Sequence, residues 1–113
     1  MKKLFFISIF LVSCATTENY REKLKLWLGN DINGIIMQWG EPSYEYTMPS
    51  KNKIYTYLWV GKNLIPKGSY EATIKKLAFD TSSGINWCKT SFVTDEKNKI
   101  INFTFEGNWC KAR

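Results

Sequence analysis

Histidine is absent from the 113 residues of this chain, and its absence removes several kinds of chemistry from consideration. Histidine is the commonest general base near neutral pH, the usual partner of serine and cysteine nucleophiles, and the commonest metal ligand. The sequence also has no glycine-rich phosphate-binding loop. Its carboxylates fall mostly in turns or at a strand entry, where water keeps them solvated. We therefore predict that the chain is not an enzyme and that it holds neither a cofactor nor a metal ion.

Long basic runs are also missing, although 16 Lys and Arg residues outnumber 10 Asp and Glu residues and give a net charge of +6. No basic run exceeds two residues. Scattered cations are typical of a solvated surface, whereas a nucleic-acid groove concentrates them. We expect no nucleic-acid partner, and a mild attraction to anionic lipid headgroups stays compatible with this charge.

The chain has one short apolar run, which lies close to its start. Lys2 and Lys3 precede the apolar residues 4–12, a stretch too short to cross a bilayer, since a spanning helix needs about 20 such residues. A charged start, a short apolar core and a small-residue cleavage region together form a secretory signal. The run ends in Leu-Val-Ser-Cys at residues 11–14, which resembles the lipobox of a bacterial lipoprotein.

This signal predicts how the chain is divided. Residues 1–13 are a signal peptide that is removed, residues 14–19 are a lipidated tether, and residues 20–113 are a single domain. Acyl groups such as palmitate on Cys14 would attach the protein to a membrane, because several chains anchor a protein stably. In Gram-negative lipoproteins an Asp after the lipid site favours retention in the inner membrane. The residue here is Ala15, so the resemblance to these lipoproteins implies the outer membrane, facing the periplasm. An ordinary secretory signal with Cys14 there by chance is the alternative.

The remaining two cysteines, Cys88 and Cys110, form an even pair in a compartment that is oxidising if the chain is exported. Such a pair predicts a disulfide bond. Closing a loop of about 20 residues would stabilise the fold by about 3 kcal/mol. A redox or metal-binding pair is the alternative, which the lack of Cys-x-x-Cys spacing and of histidine disfavours.

Two short helices are predicted at the start of the domain, over residues 20–28 and 32–39. The apolar residues in each recur at intervals of three and four, and a glycine follows each helix. Asp31 is a suitable N-cap for the second helix. The apolar positions are Leu24, Trp27, Leu28, Ile32, Ile35, Ile36 and Trp39.

From residue 44 the apolar period becomes two, which is typical of strands. Two hairpins are predicted, each with a polar turn between its strands. Residues 70–79 hold neither period well, and we predict a strand there because they lie between turn signals, with a helix as the alternative. The expected fold is α+β, with two short N-terminal helices packed on an antiparallel sheet of three to five strands. The strands of the hairpins cover residues 44–48, 54–60, 88–94 and 99–106.

The second of these strands carries large side chains on both of its faces. This pattern predicts either a central strand covered on both sides or a strand with one face used for binding. In the second case Tyr55, Tyr57 and Trp59 are a candidate binding surface.

Three segments resemble a family of small bacterial proteins. They are Leu-Trp-Leu-Gly at residues 26–29, Ile-Met-Gln-Trp-Gly-Glu-Pro at 36–42 and Ile-Tyr-Thr-Tyr at 54–57. A Trp-Gly-x-Pro stop after a short helix, followed by an aromatic strand, is similar to the SmpA/OmlA (BamE-like) type of proteobacterial outer-membrane lipoprotein. The resemblance implies two helices on a small antiparallel sheet and a part in outer-membrane assembly or maintenance. It assigns no partner-binding residue.

Two functions follow as expectations. The first is a membrane-anchored, non-enzymatic binding or scaffold domain of the cell envelope with an envelope protein as its partner. The alternative is a periplasm-facing inhibitor or small-ligand-binding module, which needs the rings of Tyr55, Tyr57 and Trp59 to be exposed. A small hydrolase would need a cleft with converging polar groups.

Overall fold

The computed structural model describes residues 17–79 and 84–111, and the predicted signal peptide and Cys14 lie outside these ranges. The described residues form an α+β fold in which three helices pack against a five-stranded antiparallel sheet, as predicted in class. The elements in chain order are α1 (17–25), α2 (Ile32–Trp39), β1 (Tyr44–Thr47), β2 (Lys53–Val60), β3 (Asn63–Leu64), a 3-10 turn (Lys67–Ser69), α3 (Tyr70–Phe79), β4 (Trp87–Thr94) and β5 (Ile100–Gly107).

The first helix covers residues 17–25, so both of its predicted limits were wrong by about one turn. Residues 17–19, which the sequence assigned to a tether, are helical. The helix ends early because its last turn tightens: the Trp27 amide donates to the Leu24 carbonyl at 3.0 Å and the Leu28 amide to that of Lys25 at 3.1 Å. Bonds to the third preceding residue satisfy end carbonyls but do not continue an α-helix.

The second helix has the predicted limits and the predicted cap. The Asn33 amide donates to the Asp31 Oδ1 at 2.8 Å, which satisfies one of the free donors of the first turn. At the other end the Gly40 amide donates to the Ile36 carbonyl at 2.9 Å. Ile32 and Ile35 are buried, as their spacing predicts.

The sheet contains both predicted hairpins. The second strand of the first hairpin, β2, pairs with the first strand of the second hairpin, β4. The strand order is β1-β2-β4-β5, with the short β3 beside the far end of β2. Tyr55 pairs with Phe92, and Phe92 pairs with Phe103, so the three rings lie on one face of the sheet. Residues 55–58 of β2 are all buried, which confirms that β2 is a central strand covered on both sides.

The expectation of a strand over residues 70–79 was wrong, because these residues form α3. Glu71, Ala72 and the lysines that follow are good helix formers. Tyr70, Ile74 and Leu77 recur at intervals of four and three, a helical stripe that the sequence reasoning overlooked. The Tyr70 ring stacks on Tyr44 with its centroid at 5.0 Å, and Leu77 is buried. Contact with the sheet thus supports the local propensity.

The helices cover opposite faces of the sheet. Rings of β2 and β4 pack against α1 and α2, whereas Leu58 and Lys89 belong to the other face, on which α3 lies. The register places Leu58 opposite Lys89, and Leu58 is completely buried. The main core lies between the sheet and the first two helices, and its buried members are Tyr20, Leu24, Ile32, Ile35, Tyr55, Tyr57, Cys88, Phe92 and Ile100.

Cys88 and Cys110 are joined by a disulfide bond, as predicted, with their Cα atoms 5.0 Å apart. The bond connects β4 to the segment that follows β5. Hydrogen bonds reinforce the connection, because the Trp109 amide donates to the Trp87 carbonyl at 3.0 Å. Gly107 makes this close approach possible: it has a φ of +135°, and a Cβ atom there would lie 2.4 Å from the Trp87 carbonyl oxygen.

Replacing Gly107 with alanine is therefore expected to lower the free energy of unfolding by about 2 kcal/mol, since backbone atoms of Trp87 and Cys88 lie within 3.1 Å of the added Cβ and must move. Gly61 is the control, because its φ is +59° but nothing lies within 4 Å of an added Cβ. Gly61→Ala is expected to lower the free energy of unfolding by only about 1 kcal/mol, which is the cost of a left-handed backbone conformation in a residue with a side chain. Urea denaturation measures both, and an equal loss at the two positions would contradict the close approach at Gly107.

Alkaline pH is expected to destabilise the fold through its buried tyrosines. Burial raises the pKa of Tyr57 far above its usual range, and the carboxylates of Glu41 and Glu45 raise it further. Burial also raises the pKa of Tyr55. Below about pH 10 both states keep the phenolic protons, but at higher pH the unfolded chain releases them first, so stability falls.

Denaturation with urea across pH 8 to 12 measures this loss, and the variant Tyr57→Phe is the control. We expect a shallower alkaline decline in the variant, because one group that retains its proton only in the folded state is gone. An identical decline in both proteins would contradict the assignment to Tyr57.

Candidate functional site: the groove between α1 and α2

A groove of about 330 Å³ opens on the helical side of the domain, between α1, the turn after it and α2. This volume falls at the lower end of the roughly 300–1,000 Å³ that binding pockets span. The groove is lined mainly by aromatic and aliphatic side chains. We call this set of residues the helix groove, and it consists of Tyr20, Lys23, Leu24, Leu26, Trp27, Asn30 and Trp39.

Trp27, which lines the helix groove, packs against a glycine of α2. A Cβ atom on Gly34 would lie 3.0 Å from the Trp27 Cζ3, so the indole packs directly on the helix backbone. Trp39 also lines the helix groove. Its ring lies edge-on to the rings of Tyr57 and Trp59, with the ring centroids 5.2 Å and 6.2 Å apart. Contacts with the core therefore hold Trp39 in position.

Three apolar side chains on the turn and the helix that bound the helix groove are exposed, and one of them, Leu26, lines it. Leu26 is 77 % exposed, Leu28 is 42 % exposed and Met37 is 87 % exposed. Met37 lies one turn after Gly34 on the same side of α2, and therefore beside Trp27. Single exposed apolar residues are normal on protein surfaces, whereas a cluster around a cavity is typical of an interaction site.

The polar groups of the helix groove are few. Of the described residues that line it, Lys23 is the one with a charge. The Asn30 side-chain amide donates to the Leu26 carbonyl at 3.0 Å, which holds the turn in place. On the outer side of α1, Lys25 pairs with Glu22 at 3.3 Å. The arrangement offers an apolar cleft with a cation at its edge, which suits an apolar group next to a carboxylate.

The structure corrects the candidate binding surface of β2. Tyr57 is completely buried, Tyr55 is only 7 % exposed, and Trp59 is half-buried against Trp39. All three side chains point to the sheet face that α1 and α2 cover, because alternate residues of a strand share a face. Tyr55 and Tyr57 therefore do not form a solvent-facing surface. The alternative function required these rings to be exposed, and that requirement is not met.

Sequence reasoning did not find the helix groove, although one signal for it was present. Leu26 follows α1 and Met37 lies in α2, and both fall outside the apolar stripes, at positions where a soluble domain usually has polar residues. Their positions indicate a second apolar surface beside the core. The contact between Trp27 and Gly34 is a further feature that periodicity does not reveal.

Residues 26–29, 36–42 and 54–57 form the turn after α1, the end of α2 with the residues after it, and the first half of β2. Within residues 17–79 and 84–111, no helix has the length and apolar character needed to cross a membrane. Comparison of the chain with models of known families, with curated proteins and with solved structures finds no match.

Proposed function

We propose that this protein is a lipid-anchored, non-enzymatic binding or scaffold domain of the bacterial cell envelope, and that the helix groove holds a segment of an envelope protein. The observation that carries the proposal is an open apolar cavity lined by the exposed Leu26, with the exposed Leu28 and Met37 on the turn and the helix that bound it. Leaving such side chains in water costs free energy that a partner would recover, at about 25 cal/mol per Å² of apolar surface buried.

The chemistry of the helix groove describes its partner. Trp27 and Trp39 favour an inserted apolar or aromatic side chain, since aromatic anchors dominate the energetics of many interfaces. Lys23 at the edge favours an acidic residue next to that side chain, because complementary charge fixes orientation. The partner segment therefore presents an apolar residue flanked by Asp or Glu.

The predicted lipid anchor at Cys14 also supports a binding function. Acyl groups on Cys14 would hold the domain at a membrane surface, where a membrane-bound partner meets it at a high effective concentration. A weak groove then suffices for a stable complex. A role in outer-membrane assembly or maintenance agrees with the resemblance to SmpA/OmlA lipoproteins and belongs to the proposal.

A photocrosslinking residue in place of Met37, in cells that make the full-length protein, tests the groove. We expect a specific adduct, and we expect Leu26→Asp to reduce its yield at least tenfold, since an apolar contact becomes a buried charge. The control is Ile101→Asp, because Ile101 is 50 % exposed on β5. Equal loss with Leu26→Asp and Ile101→Asp, or no adduct, would count against the groove.

The variant Cys14→Ser tests the anchor. We expect loss of the acyl mass and retention of the signal peptide, because the cysteine carries the attachment. Intact mass measurement reads both changes, and an unchanged mass would refute the lipid anchor.

A further inference from the structure

A second cavity, of about 320 Å³, lies at the end of the sheet where β5 finishes. It is bounded by the start of α1 on one side and by the segment after β5 on the other. We call this set of residues the terminal cradle, and it consists of Thr17, Phe105, Gly107, Asn108, Trp109, Cys110 and Lys111. Its two walls come from opposite ends of the described chain.

Two cations border the terminal cradle, and each lies over an aromatic ring. The Arg21 guanidinium is 5.0 Å from the centroid of Phe105, and the Lys111 ammonium is 4.5 Å from that of Trp109. The Glu18 carboxylate lies 3.8 Å from the Arg21 Nε, but both side chains are exposed, so the pair contributes little. The Arg21 fork keeps donors for a further anionic group.

The wall that carries Trp109 and Lys111 is firmly held. The Asn108 side chain accepts from the Trp87 amide at 2.8 Å and donates to the Ile85 carbonyl at 2.8 Å. The disulfide bond of Cys110 adds a covalent connection. An amphipathic indole beside a lysine is the combination that proteins place at the boundary between lipid and water.

The length of chain before α1 determines where the terminal cradle lies relative to the lipid. Only Ala15 and Thr16 separate Cys14 from Thr17, which lines the cradle. Three residue steps span at most about 11 Å even when fully extended. A cysteine whose acyl chains are in the bilayer therefore keeps Thr17 at the level of the headgroups.

We propose that the terminal cradle is the membrane-contacting end of the domain, with Trp109 in the bilayer interface and Arg21 and Lys111 among the phosphate groups of phospholipid headgroups. The inference rests on the lipid anchor of the proposed function. The inference also predicts how the domain is oriented on the membrane. The helix α1 starts at the terminal cradle and leads away from it. The turn after α1 lies at the far end of β5, where the Gly29 amide donates to the Ile100 carbonyl at 2.8 Å. That end is about 23 Å from Gly107.

This orientation separates the two surfaces. The turn that bounds the helix groove lies at the end of β5 remote from the lipid, so the groove faces the aqueous compartment. Contact at the terminal cradle restricts tilting about the short tether and holds the groove open to a partner.

The test uses the acylated full-length protein with 5-fluorotryptophan, in nanodiscs of phosphatidylcholine and phosphatidylserine that contain a lipid spin-labelled at its headgroup. We expect the fluorine resonance of Trp109 to broaden strongly and that of Trp39, in the helix groove, to broaden much less. Lys111→Glu is expected to reduce the contact population at least fivefold, since each cation near an anionic surface contributes about 1 kcal/mol and the substitution also adds an anion. Lys97→Glu, in the turn at the opposite end of β4 and β5, is the control and is expected to have no effect.

Intact mass of the same samples distinguishes the two levels of the proposal. Acylated protein in which Trp109 broadens no more than Trp39 would overturn the membrane contact and leave the anchor standing. Equal effects of Lys111→Glu and Lys97→Glu would also overturn it. Absence of acyl groups on Cys14 would overturn both. Spectra recorded without the spin-labelled lipid confirm that each variant is folded.

Discussion

Replacing Tyr57 with alanine is expected to lower the free energy of unfolding by about 4 kcal/mol, whereas Tyr46→Ala is expected to cost less than about 1 kcal/mol. The two residues lie on neighbouring strands, and the substitution is the same. Tyr57 is completely buried, and its ring centroid lies 5.2 Å from that of Trp39 and 6.4 Å from that of Phe92. Tyr46 is 47 % exposed. Removing the buried ring leaves a cavity in the core.

The variant Tyr57→Phe separates the contribution of the Tyr57 ring to stability from the contribution of its hydroxyl group. The Tyr57 hydroxyl donates to the Gly40 carbonyl at 2.8 Å and thereby ties β2 to the end of α2. Its loss is expected to cost about 1 kcal/mol, a typical net value for one hydrogen bond. Urea denaturation of the three variants provides the measurements. Similar losses for Tyr57→Ala and Tyr46→Ala would show that the β2 aromatics are not the core.

Breaking the disulfide bond is expected to lower the free energy of unfolding by about 3 kcal/mol, because the bridge restricts a loop of 22 residues in the unfolded chain. Cys110→Ala is the suitable variant, since Cys110 is only half-buried and Cys88 is completely buried. The folded structure is expected to persist, because hydrogen bonds of Asn108 and Trp109 still hold the terminal segment against β4.

Denaturation with and without a reductant measures this contribution. The reductant should destabilise the unaltered protein to the level of Cys110→Ala, and it should leave that variant unchanged. Equal stability of the unaltered protein with and without reductant would contradict the stabilising role. Because small domains are stable by only about 5–15 kcal/mol, this loss is a large part of the total.

The helix groove and the terminal cradle lie apart on the domain. The terminal cradle lies next to the predicted lipidation site, and the helix groove lies toward the remote end of β5. Under the proposed orientation, a partner reaches the groove from the aqueous side. The arrangement also gives the disulfide a second consequence, because it fixes the strand end that carries Trp109 and Lys111.

Local patterns predicted the elements whose physics is local. Asp31 predicted the start of α2 because a carboxylate can satisfy amides in the first turn. The polar turn after Thr94 predicted the β4–β5 hairpin, in which Asp95 Oδ1 accepts from the amides of Lys97 and Lys99 at 2.9 Å each. The cysteine pair predicted its own bond, because the two cysteines that remain after Cys14 have one possible pairing.

Other features depended on contacts between distant parts of the chain. The helix α3 was missed because its stripe of Tyr70, Ile74 and Leu77 is sparse, and its stacking on Tyr44 is not visible in the sequence. The face of β2 that carries Tyr55 and Tyr57 was recognised as apolar, but period two cannot say what covers a face. Two helices cover it, which makes those rings core.

The sequence alone determined the α+β class, the two hairpins, the second helix and the cysteine pairing, since each follows from spacing, capping or counting. The tertiary structure decided which apolar side chains are buried and which remain at the surface. Burial depends on the partner that packs against a residue, and local sequence does not contain that partner. Tyr57 is therefore buried, whereas Leu26 and Met37 are exposed. The candidate site consequently lies at the helices and not on the sheet.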